Sequence, residues 1–131
     1  MSSFKDTMGR EWQLNINVAA MRRARAYDID LSLAVQQLNK FFMDDVFFVD
    51  AIWAIVKPLA DEKGITQEQF ESAFDGAITE QAREALWVAL GAYYDTGRSE
   101  FLKKAVEVMK AGAVKAAADL TKATAELISI G

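Results

Sequence analysis

From Arg98 to Ser129 the chain runs without a proline and with a single glycine, Gly112. Nothing else in the sequence restricts the fold so strongly. Uninterrupted runs of this kind predict one helix of roughly 30 residues, or two nearly collinear helices joined at the glycine. At 1.5 Å per residue such a helix is about 45 Å long. A compact body of 131 residues has an expected radius of gyration of only about 14 Å. Part of the helix is therefore expected to project beyond its own core. Leu102, Val106, Met109, Ala113, Ala116, Leu120, Ala123 and Leu127 recur at alternating spacings of four and three, the seam of a helix that packs lengthwise on another. Glu100/Lys104, Lys115/Asp119 and Lys122/Glu126 add i,i+4 pairs to a solvent-facing side. Three fates stay open for the distal part: packing on a second copy or a partner, folding back on the domain, or disorder.

The other end reads differently. Trp12, Leu14 and Ile16 alternate with Glu11, Gln13 and Asn15, and Gly9 separates this stretch from Phe4-Lys5-Asp6. A period of two about a glycine predicts a short hairpin, whose apolar face needs a helical core or a second subunit to cover it. Asn17 is placed to cap a helix through Ala26, and a second helix is expected from Leu31 or Ser32, with Leu31, Val35, Leu38 and Phe42 as its stripe. Asp44-Asp45 breaks it and starts an apolar helix carrying Val46, Val49, Ile52, Trp53, Val56 and Leu59, with Pro58 near its end. Gly64 stops that helix, and Thr66-Gln67-Glu68-Gln69 has the spacing of a capping box for a short helix holding Phe70. Asp75-Gly76 is expected to end it, and Thr79 to cap a helix through Tyr94 that buries Ala82, Leu86, Ala89, Leu90 and Tyr93. Thr96-Gly97 is read as the last turn. The predicted fold is mainly α: a small N-terminal β-hairpin followed by a compact helical domain (hairpin plus core, 1–97) and a long C-terminal helix, 98–131.

Composition narrows the chemistry. The sequence contains no cysteine and no histidine, which removes thiolate nucleophiles, imidazole bases and the commonest zinc ligands. The run from Asp61 to Phe70 fails as a calcium loop: Gly64 in the sixth position puts Leu59 where a carboxylate is required. Asp44, Asp45, Asp50, Asp61 and Glu62 supply carboxylates, but the pattern assigns several to helix starts or solvent faces. Phosphate loops, dinucleotide fingerprints and serine elbows are absent from the sequence. No catalytic residue, metal or cofactor is expected, and the chain is read as non-enzymatic. Acidic residues number 19 against 15 basic ones, mixed throughout, for a net charge of −4. Such a balance lacks the concentrated positive field that nucleic-acid binding requires. A hydrophobic signal core and a membrane-length apolar run are also missing, so an intracellular, membrane-free location is expected.

What remains is surface for other proteins. Arg22, Arg23 and Arg25 form the only tight basic cluster, beside Met21 and Tyr27. It reads as a solvated face pairing with Asp28 or Asp30, or as a dock for an acidic protein. Trp12 reads as hairpin core or as an exposed contact. The interface candidates are therefore Trp12, Arg22, Arg23, Arg25, Leu120 and Leu127.

The order of these features also carries a resemblance. Gly9-Arg10-x-Trp12, the alternation through Ile16, Val18, Arg22-Arg23 and Asp30-Leu31 are followed by Phe48-Val49-Asp50-x-Ile52-Trp53 and Ala60-Asp61-Glu62-Lys63-Gly64-Ile65-Thr66-x-Glu68-x-Phe70. With the helix from Ile78 to Tyr94, this series resembles the tail assembly chaperones of tailed phages and prophages over roughly residues 4 to 100. The likeness rests on the order of the motifs, none of which is catalytic, and weakens after Lys103. The resemblance implies a largely helical protein of virion morphogenesis, acting in the cytoplasm of the bacterial host. Its implied partners are the tape-measure protein, tail-tube subunits and further copies of itself. A structural virion component and a non-enzymatic helical adaptor are the alternatives.

Overall fold

The computed structural model describes residues 2–112. It begins with the expected hairpin, β1 (Ser3–Lys5) and β2 (Glu11–Gln13), paired antiparallel with Phe4 opposite Trp12. Alternation turns Phe4 and Trp12 inward and leaves their neighbours exposed. Gly9 sits at φ 77°, the left-handed conformation the turn demands. Leu14 extends the ladder by donating to the Ser2 carbonyl. The apolar face is covered from within the chain: Trp12 meets Phe70 edge-on at 5.0 Å between ring centroids, and Phe4 meets Phe74 at 5.6 Å.

Helix α1 (Val18–Arg25) starts where Asn17 accepts a hydrogen bond from the Ala20 N–H. The single helix expected from Leu31 is not formed. Leu33 has non-helical backbone angles, a 3₁₀ turn follows over Ala34–Gln37, and only Leu38–Met43 (α2) is α-helical. Side chains bind the backbone that a helix would have used. Asp30 accepts from the Ser32 and Leu33 N–H groups, and Gln37 bridges the Asp30 N–H and the Asp28 carbonyl. The Tyr94 hydroxyl completes the knot, accepting from the Ala34 N–H at 3.1 Å and donating to the Leu31 carbonyl.

Asp44 caps α3 (Asp45–Lys63), and Gly64 closes it in the left-handed conformation at φ 67°. Every residue from Ala51 to Val56 is buried, so this helix is surrounded rather than one-sided. Thr66 and Gln69 form the predicted capping box of α4 (Gln67–Glu71), which drives Phe70 into the core. Helix α5 (Gly76–Tyr93) starts four residues earlier than the sequence suggests. Asp75 accepts from the Ile78 N–H and is its cap, whereas Thr79 lies inside the helix and donates to the Asp75 carbonyl. At its far end Tyr94 is buried, and Tyr93, expected inside, is 39% exposed.

The final helix, α6, occupies residues 96–112 of the described chain. Thr96 and Gly97 form its first turn rather than a loop, because Asp95 accepts from the Arg98 N–H as an N-cap does. Leu102 and Val106 are buried in the same core as α3 and α5, with Ala105 and Met109 packed against it. Lys110 meets Glu84 of α5 at 2.6 Å. The core therefore crosses the expected boundary at 97/98, and α6 lies against the body at least as far as Met109.

Candidate protein-interaction surface

The basic cluster on α1 divides. Arg22 and Arg25 are exposed, and neither forms an ion pair with a carboxylate of the described residues. Arg23 turns inward, where its Nε donates to the Ala54 carbonyl at 2.6 Å and its Nη2 reaches the Ile55 carbonyl at 3.4 Å. The cause is Pro58. A proline has no N–H for the carbonyl four residues back, so Ala54 lacks its helical donor and Arg23 supplies one. Arg23 thus acts in structure, and among the described residues the expected ion pair with Asp28 or Asp30 is not made. Asp30 is held below the usual carboxylate range chiefly by the Ser32 hydroxyl, against the upward push of burial, with backbone N–H groups and the Arg25 charge assisting. Beside Arg23, Tyr27, Trp53 and Lys57 line a shallow hollow of about 220 Å³. The Lys57 ammonium stands 5.9 Å from the Trp53 ring centroid.

Trp12 is fully buried, and its indole N–H donates to Asp6 at 2.9 Å. This corrects its candidacy as an exposed contact: α4 and the hairpin enclose it. Asp6 also accepts from the Met8 and Arg10 N–H groups and from the Arg10 guanidinium at 2.8 Å. Burial pushes this carboxyl upward, but the Trp12 and Arg10 hydrogen bonds outweigh it and hold Asp6 below its ordinary range. Leu120 and Leu127 lie outside the described residues. On the described part of their seam, Leu102 and Val106 face the core, while Phe101 and Val108 are 58% and 70% exposed.

A second surface escaped the sequence. Where α3, α4 and α5 converge, Val46, Val49, Phe74 and Gly76 line an open groove of about 390 Å³, bordered by Asp45, Glu71 and Asp75. Asp50 is half-buried on α3 and makes no ion pair among the described residues. Burial and the charges of Glu71 and Asp44 raise its pKa. The groove joins residues from three elements, and the only local hint was an apolar side chain beside each acidic cap: Val46 after Asp44-Asp45, and Phe74 before Asp75.

No helix of the described residues is long and apolar enough to cross a membrane. Comparison of the chain with protein-family models, curated proteins and solved structures finds no match.

Proposed function

We propose that this chain is a non-enzymatic tail assembly chaperone of a tailed phage or prophage, acting in the cytoplasm of the bacterial host. It binds and shields the tape-measure protein, and tail-tube subunits in turn, during tail morphogenesis. The motif order over roughly residues 4 to 100 supports this reading. The structural observation that carries it is the last helix. After Leu102 and Val106 have entered the core, Phe101 and Val108 still stand in solvent two turns apart on one face. A helix with a second apolar stripe is suited to cover an elongated helical partner by lengthwise packing. Such shielding prevents aggregation by burying apolar surface reversibly and needs no chemical turnover.

Co-expression with the long protein encoded beside it, followed by purification and mass measurement, tests the proposal. A stable complex and improved solubility of the long protein are expected. Failure of both sinks it.

A further inference from the structure

We infer that the groove between α3, α4 and α5 is a docking site for a basic amphipathic helix of a partner protein. The inference is independent of the proposed function, because it uses a face remote in sequence from α6 and needs no tail component.

The floor is apolar. Val46 is 72% exposed there, although it opens a helix whose later residues are enclosed. Val49 and Phe74 are half-buried beside it, and a Cβ placed on Gly76 would meet nothing within 4 Å. The rim is acidic, and its charges are unevenly compensated. Asp45 on the rim already shares the buried Arg83 with Glu80, which lies outside the lining. Among the described residues Glu71 on the rim has only the neutral Gln67 amide as partner, and Asp50, one turn along α3 from Val46 and outside the lining, has none. Burial, and then the charges of Glu71 and Asp44, raise the pKa of Asp50, so the Glu71 carboxylate is felt beyond the rim itself. A lysine or arginine from outside supplies the opposite charge, while its aliphatic neighbours occupy the floor.

The occupant must also satisfy its own backbone. The helix starts at the groove are capped, since Asp44 takes the Phe47 N–H and Asp75 the Ile78 N–H. An extended peptide would find few backbone partners and bury unpaired amide groups. A helix brings its hydrogen bonds with it, which selects the helix-in-groove mode over strand addition. Each helix start also already holds its capping carboxylate, which disfavours an anion there.

The test uses the full chain and a synthetic helical peptide with leucine at i, i+3, i+4 and i+7 and lysine on the flanks. A leucine/glutamate peptide of the same pattern and spermidine serve as controls. The expected result is lysine-peptide binding by calorimetry, with NMR shift changes concentrated on Val46, Val49, Phe74 and Gly76. Asp50→Asn with Glu71→Gln should weaken it about tenfold, and Val46→Lys, at an exposed position safe for folding, should weaken it at least as much. Gly76→Phe should block the groove by bulk alone. Absent binding, shifts spread over the whole acidic surface, equal binding of the glutamate peptide, or full affinity after Val46→Lys would each overturn the inference. Spermidine reproducing the peptide's shifts would also overturn it, assigning the groove to small cations.

Discussion

Asp6 accepts four hydrogen bonds from a single turn of chain, and its side chain has no exposed surface. Its neutralisation by Asp6→Asn is expected to cost about 3 kcal/mol, because the Arg10 and Trp12 donors lose a charged acceptor. The pH dependence has a definite sign. A carboxyl whose folded pKa is depressed adds stability above its unfolded value near pH 4, and the gain is lost as pH falls through the folded pKa. Chemical denaturation of the wild type and Asp6→Asn from pH 7 down to pH 2 should show the difference between them shrinking with acid. Arg23 offers a second test at this scale. Arg23→Met should cost about 1–3 kcal/mol in the native chain, since it orphans the Ala54 carbonyl. In a Pro58→Ala background position 58 regains an N–H, so the same substitution should cost less; equal costs in the two backgrounds would break the link between proline and arginine. The arginine cluster was visible in the sequence, but its division was not, because the carbonyl that captures Arg23 lies 31 positions away.

Helix starts and stops that depend on neighbouring residues could be read directly: Asn17, Asp44, Gly64 and the Thr66/Gln69 box each act within one turn. The expectation failed at 31–37, where the Tyr94 hydroxyl arrives from 60 to 63 positions away. Tyr94→Phe isolates this effect. It should leave the Ala34 N–H and Leu31 carbonyl unpaired, lowering stability by about 1–3 kcal/mol and accelerating amide exchange over 31–37. Helix α6 gives the strongest prediction for an element. Leu102→Ala should cost about 2–5 kcal/mol, as for a large aliphatic side chain removed from a packed core. A chain ending at residue 97 should lose cooperative thermal unfolding, whereas a self-contained unit ending there would keep it. The hydrophobic repeat picked out Leu102, Val106 and Met109, the described part of the seam, but spacing alone does not say whether a seam meets its own core or another molecule.

For the whole molecule, partner binding and folding should be separable on different faces of α6. Phe101→Ser with Val108→Ser alters exposed side chains and should move the melting temperature by no more than about 2 °C. Capture of the long neighbouring protein on co-expression should nevertheless fall sharply; unchanged capture would remove α6 from the proposed interface. The N-terminal hairpin imposes a different requirement, one of timing. Ser2 donates to the Ala85 carbonyl, Thr7 to that of Ala73, and the Arg10 guanidinium to that of Gln69. The hairpin is therefore synthesised before the residues it binds, with Ser2 and Ala85 separated by 83 positions. At ordinary elongation rates that separation is a wait of roughly 4 to 17 s. Until the α4 region emerges, Trp12 lacks Phe70 and Phe4 lacks Phe74 to pack on. The hairpin of the nascent chain thus waits with its aromatic edge uncovered, and the arrival of Phe70 and Phe74 at the ribosome exit decides when that exposure ends.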